Sequence, residues 1–147
     1  MTGVTRFEDL IAWQRARSLT RLVYLATRNE AFHRDRDLAW QIQRASVSVM
    51  ANLAEGFERG RPTEFHQFAS TAKASCAEVR SHLYVALDTG CLERQSFDQL
   101  MSIAQEVGRL TGGLRADLER QIRKARTAPT QYSVPSTQYS STSVPHG

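Results

Sequence analysis

The chain has 147 residues, enough for one domain around one core, and a formal net charge of +4 from 19 basic and 15 acidic side chains. Its two cysteines, Cys76 and Cys91, form no C-x-x-C pair and sit far from any histidine pair, which argues against zinc and for free thiols in a reducing compartment. Residues Met1 to Asp9 are polar with no hydrophobic signal segment, and no apolar run approaches the ~18 residues of a membrane helix, so a soluble cytoplasmic protein with no membrane partner is expected.

In chain order, the first segment runs from about Phe7 to Arg28. Ala16, Leu19, Val23 and Ala26 recur at helical spacing, and Leu10 and Trp13 extend the face backwards. The second runs from about Asp37 to Phe57, with Leu38, Ile42, Ala45, Val49 and Leu53 in register. Its SVSVM run alternates with period two, but for only two cycles, between helical flanks and with no second strand to pair with; helix is the better assignment. The third runs from about Thr63 to Thr89. Phe65, Phe68, Ala72, Cys76, Val79, Leu83 and Leu87 mark its buried face, and Gly90 stands where a left-handed cap is expected. The fourth opens on Ser96 and Gln99 as a capping box and carries Leu100, Ile103, Val107, Leu110, Leu114, Leu118 and Ile122. Gly112-Gly113 predicts a local weakening or bend in it.

Beyond Arg126 the composition changes to Ser, Thr, Pro and Gln, with TQYS repeated at Thr130 and Thr137 and no Asp, Glu, Lys or Arg. Too little apolar surface exists there to offset the entropy of ordering, so residues 127–147 are expected to be a disordered tail; a linear motif at Tyr132 or Tyr139 is the functional alternative. Residues 1–126 then form long amphipathic helices with short connections, which predicts an all-α, antiparallel up-down four-helix bundle.

From Ala45 to Ala54 the second helix carries no charge. Beside its core row lies a second row of Gln41, Arg44, Ser48, Asn52, Glu55 and Arg59, small in the middle, with Gly56 at the end of the core row. A helix that is small or apolar all round is normally covered all round, and a second copy of the chain is the simplest cover, with Ser48 on the contact face. Asn52 and Glu55 have two readings. In one, Asn52 sets register and Glu55 pairs with Arg59 at i,i+4; in the other, Glu55 is an acid, a base or a metal ligand.

Catalytic patterns are sparse. A di-iron bundle needs two E-x-x-H motifs and two further glutamates, whereas this chain has one, Glu30 to His33, at a helix end; Glu78 and His82 are four apart. His66 and His82 are too far apart on one helix to share a site, and there is no phosphate-binding glycine loop or nucleophile elbow. The expectation is no catalytic residue, no metal and no cofactor.

Arginine supplies almost all the positive charge; Lys73 and Lys124 are the only lysines. Arg17, Arg21, Tyr24 and Arg28 line one face of the first helix, a stripe able to meet phosphates bidentately with an aromatic for stacking. Arg120, Arg123, Lys124 and Arg126 close the fourth helix, and Arg59 and Arg61 occupy the loop after the second, with Arg34 and Arg36 in the first loop. The plainer account of each cluster is a solvated face, or basic residues complementing a helix dipole.

The stretches FEDLIAWQRARSL, QIQRASVSVMANLAEGFERG, TEFHQFASTAKASCAEVRSHL and ALDTGCL, in this order and spacing, resemble the bacterial four-helix bundle proteins that include those encoded in intervening sequences of 23S rRNA genes. The resemblance covers about Phe7 to Leu118, and Asn52-Leu53-Ala54-Glu55-Gly56 is its most specific part. It implies a left-handed bundle, assembly into rings with a pentamer favoured, and nucleic-acid binding. The related accessory variability determinant proteins of diversity-generating retroelements imply the alternative of an adaptor for a reverse transcriptase. The chain departs from its relatives by carrying SVSVMAN where a proline-containing run such as SIPAN is usual, which removes a kink expected near Val49-Met50, and by its tail.

Overall fold

The computed structural model describes residues 3–128. A 3-10 turn at Phe7–Asp9 is followed by α1 (Ile11–Ala26), a second 3-10 turn (Glu30–Arg34), α2 (Arg36–Arg59), α3 (Pro62–Asp88) and α4 (Arg94–Thr127). Consecutive helices pack as antiparallel neighbours, α4 closes back on α1, and α1 and α3 sit diagonally without touching: a four-helix bundle. SVSVM lies inside α2, which runs without interruption through Val49-Met50. The Ser/Thr/Pro segment after Ala128, with Tyr132 and Tyr139, lies outside the described residues.

Helix ends depart from the sequence expectations in three places. The first segment is not one helix: Leu10, buried and extended at φ −68° and ψ 122°, separates the 3-10 turn from α1. Gln14 donates from its amide to the Glu8 carbonyl at 2.9 Å, tying the turn to the first turn of α1. At the other end Thr27 caps α1, and the Asn29 side chain accepts from the Phe32 amide to start the next turn. Arg28 therefore lies outside the helix that was expected to carry it. The Ser96–Gln99 capping box is also absent. Left-handed Gly90 (φ 77°) reverses the chain, and the Cys91 and Leu92 amides both bond the Ala86 carbonyl. That buries Cys91 and Leu92 at once and starts α4 two residues before Ser96, with Glu93 as an extended N-cap that makes no side-chain bond. At α2 the caps use residue types suited to them: Asp35 accepts from the Leu38 amide to open the helix, and Gly60 (φ 75°) ends it ahead of Pro62.

The core takes in most of the periodic positions read from sequence, with Trp13, Ala26, Phe68, Leu87, Leu110 and Ile122 only half-buried, and adds others such as Ala69 and Ala86 on α3 and Phe97 and Ala104 on α4. Gly112-Gly113 lies inside continuous α4. Gly56 is where α2 and α3 approach most tightly in a way only glycine allows. A Cβ there would stand 2.7 Å from the Phe68 Cβ and 2.8 Å from the Phe65 ring. Gly56→Ala should destabilise the protein by about 1–3 kcal/mol through overpacking, although alanine is the better helix former. Gly113→Ala, whose added methyl meets nothing within 4 Å, should instead stabilise it by about 0.5–1 kcal/mol. Urea denaturation of the two variants reads opposite signs if the packing is as described.

Candidate functional site

The second row of α2 is split by its neighbours. The Ser48 hydroxyl lies 2.8 Å from the hydroxyl of buried Ser75 on α3. The Asn52 amide donates to the Ser48 carbonyl at 2.8 Å and to its hydroxyl at 3.0 Å. Ser48 thus has a partner on α3 of the same chain, Asn52 is tied back to Ser48 within α2, and both side chains stay half-buried. Helical spacing gives their angle from Val49 but not which flanking helix meets that angle. Glu55 accepts from Arg59 at 3.1 Å, both exposed, which is the i,i+4 pair expected. Arg44 is exposed, its guanidinium 5.3 Å from the Trp40 ring, while Gly56 is buried. The outermost line of α2 carries Trp40, Val47 and Ala51, with Trp40 54 % and Val47 42 % exposed.

The basic residues fall into separate groups. On α1, Arg17 and Arg21 are exposed, Arg17 sits 6.0 Å over the Trp13 ring, and α1 contains no acidic residue. Tyr24 is half-buried, and Arg28 turns away with Phe32, Arg36 and Trp40 around a shallow hollow at the far end. Arg59 and Arg61 share the opposite end of the bundle with Arg120, Arg123, Lys124 and Arg126, because α3 starts where α4 finishes: His66 and Glu119 meet at 3.0 Å across that seam. Of these, Arg59 is held by Glu55 and lies 5.3 Å over Phe68, and Arg120 is held by Asp117. Among the described residues no carboxylate pairs with Arg17, Arg21, Arg61, Arg123, Lys124 or Arg126. The His66 hydrogen bond holds the Glu119 carboxyl below its usual range, helped by Arg115 and Arg123, so Glu119 stays an anion at that end.

One cationic site was not read from sequence. Between α3 and α4 runs a groove of about 530 Å³ lined by Lys73, Arg80, Gln105 and Arg109, with Gly108 and Gly112 in its floor. The signal in the sequence is Lys73 and Arg80 seven apart on α3 and Gly108 and Gly112 four apart on α4. Beneath them the Cys76 thiol donates to the Ala104 carbonyl at 3.0 Å, and burial pushes its pKa up, so the floor is neutral. Among the described residues no three His, Cys, Asp or Glu side chains cluster as metal ligands, and no helix is long and apolar enough to cross a membrane. Glu78 and His82 approach to 3.5 Å along one helix.

Comparison with curated proteins gives no match. The family model of the 23S rRNA-intervening sequence proteins matches residues 8–113, from the first 3-10 turn to the glycine pair of α4. That span contains the α2–α3 hairpin, Gly56 and both glycines of the groove floor, and the chain belongs to the 23S rRNA-intervening sequence protein family.

Proposed function

We propose that this is a non-enzymatic, homo-oligomeric accessory protein that binds RNA or DNA by its phosphates. The observation that carries the reading is α1, a helix with three arginines and no acid, on which Arg17 and Arg21 are exposed and unpaired among the described residues. Arginine in that state presents its planar fork to solvent, the geometry that takes a phosphate bidentately. Trp13 below Arg17 supplies an aromatic surface beside the fork. The family's name, which refers to an intervening sequence of 23S rRNA, supports an RNA partner.

Assembly rests on the outer line of α2. Trp40, Val47 and Ala51 face away from the bundle, with exposed Arg44 between the first two and stacked on Trp40, and Val85 on the adjoining α3 is 44 % exposed. These exposed apolar side chains, on an otherwise charged bundle, support a contact surface for another copy.

Affinity for a synthetic RNA hairpin, measured by fluorescence anisotropy, should fall steeply with salt; Arg17→Gln with Arg21→Gln should flatten the log–log slope by about 2 without lowering the melting temperature. Affinity that is unchanged between low and physiological salt contradicts phosphate binding. Val47→Arg should reduce the solution mass by light scattering while leaving helicity intact. A monomeric unmutated protein overturns assembly directly. Ser48→Arg is the poorer test, since it would break the Ser48–Ser75 contact inside the bundle.

A further inference from the structure

We propose that the α3–α4 groove seats a stretch of nucleic-acid phosphate backbone on a surface separate from α1. The inference rests on the nucleic-acid reading above and names where the strand lies.

The groove has charge of one sign. Lys73, Arg80 and Arg109 line it, and no carboxylate does. The acids nearest in sequence point elsewhere: Glu78 approaches His82 at 3.5 Å, Glu106 grips Arg15 at 2.9 Å across the opposite seam, and Asp117 holds Arg120. Among the described residues none of the three cations has an ion-pair partner. Three like charges gathered around one hollow repel one another, and a cleft lined by a single sign focuses its field on an anion. Nothing in the bundle's own packing requires that arrangement.

The floor is shaped for close approach. A Cβ at Gly108 would find only the Cys76 Sγ, at 3.8 Å, and one at Gly112 only the Lys73 Nζ, at 3.9 Å. Side chains at these two positions would therefore fill the groove without clashing, and their absence leaves it open. Packing does not demand glycine here, in contrast to Gly56. The raised pKa of Cys76 keeps a thiolate from adding negative charge beneath the anion.

The dimensions suit a chain of phosphates in preference to a single small anion. Lys73 and Arg80 are seven residues apart, or about 10.5 Å along α3 at 1.5 Å per residue. A nucleic-acid strand places one phosphate per ~3.4 Å of axis, so the two heads span several phosphates. Arg115, held by the Ser70 hydroxyl at 2.9 Å, extends the line toward the end of α4. Because α1 and α3 are diagonal, the groove and the Arg17/Arg21 face lie on different sides of the molecule.

The test uses the full chain and the same RNA hairpin, with a DNA duplex of matching sequence as the second probe. Lys73→Gln, Arg80→Gln and Arg109→Gln combined should weaken binding on the order of tenfold or more and flatten the salt slope by about 3, one unit per lost phosphate contact. Gly112→Glu places a carboxylate in the groove while improving helix propensity, so it should hold or raise the melting temperature and still weaken binding. Lys73 should also be protected by RNA from an amine-acylating reagent. If the unmutated protein binds but both variants bind with unchanged affinity and slope, and Lys73 stays equally reactive, the groove is overturned and the nucleic-acid reading survives. If the unmutated protein binds neither probe at low salt, both fail.

Discussion

Where α2 ends and α3 begins, the Gly56 backbone and the rings of Phe65 and Phe68 leave no space for a Cβ. This contact sets how closely the two longest-packed neighbours approach, and other residues of the motif are arranged around it. Leu53, one turn earlier, is fully buried. Phe57 meets Phe65 edge-on with centroids 6.1 Å apart, and Arg59 lies over Phe68 while its guanidinium is held by Glu55. Asn52 ties back to Ser48, which reaches Ser75 on α3. The element Asn52-Leu53-Ala54-Glu55-Gly56 is therefore a packing device for one hairpin, and its polar members are accounted for by local bonds.

The remaining helices join this hairpin through seams of different chemistry. Along α1–α2, the Thr20 hydroxyl donates to the Ser46 carbonyl at 3.1 Å, and the Gln43 amide donates to the Thr27 hydroxyl at 2.8 Å. Along α3–α4, Arg115 donates to Ser70 and the Cys76 thiol to Ala104. The α1–α4 seam, which closes the bundle between helices distant in sequence, is bridged by a two-pronged Arg15–Glu106 pair at 3.0 and 2.9 Å. That pair is partly exposed, so its net contribution is small, about 1 kcal/mol or less. Its value is in geometry: a fork fits one register of α1 against α4, while apolar contacts alone tolerate sliding.

Period and punctuation made the fold legible. Leu38, Ile42, Ala45, Val49 and Leu53 are all buried as their spacing required, and Gly90 marks a real helix end. What could not be read depends on partners far away in sequence. Ser96 looks like a cap until Leu92 is seen to be buried, which draws the start of α4 back to Arg94. Ser48 looks unpartnered until Ser75 arrives from α3. The basic stripe of α1 was readable because its residues share one helix, although Arg28 drops out when Thr27 ends that helix. The α3–α4 groove was not, because its cations come from two helices whose alignment is set by tertiary packing.

The arginines divide by the company they keep. Arg15, Arg59, Arg94 and Arg120 are spent on carboxylates of the chain itself. Arg17 and Arg21 of α1 and the cations of the α3–α4 groove have no such partner among the described residues. Glycine divides in the same way. At Gly56 the missing side chain lets two helices close on each other, and a methyl group would force them apart. At Gly108 and Gly112 a methyl group would be tolerated, so close helix packing does not explain the glycines there. The same residue type closes one seam and opens another, and the opened seam is the one ringed by unpaired positive charge. An apolar bundle core needs only the first of these arrangements; the second is the observation on which the proposed seat for an anion rests.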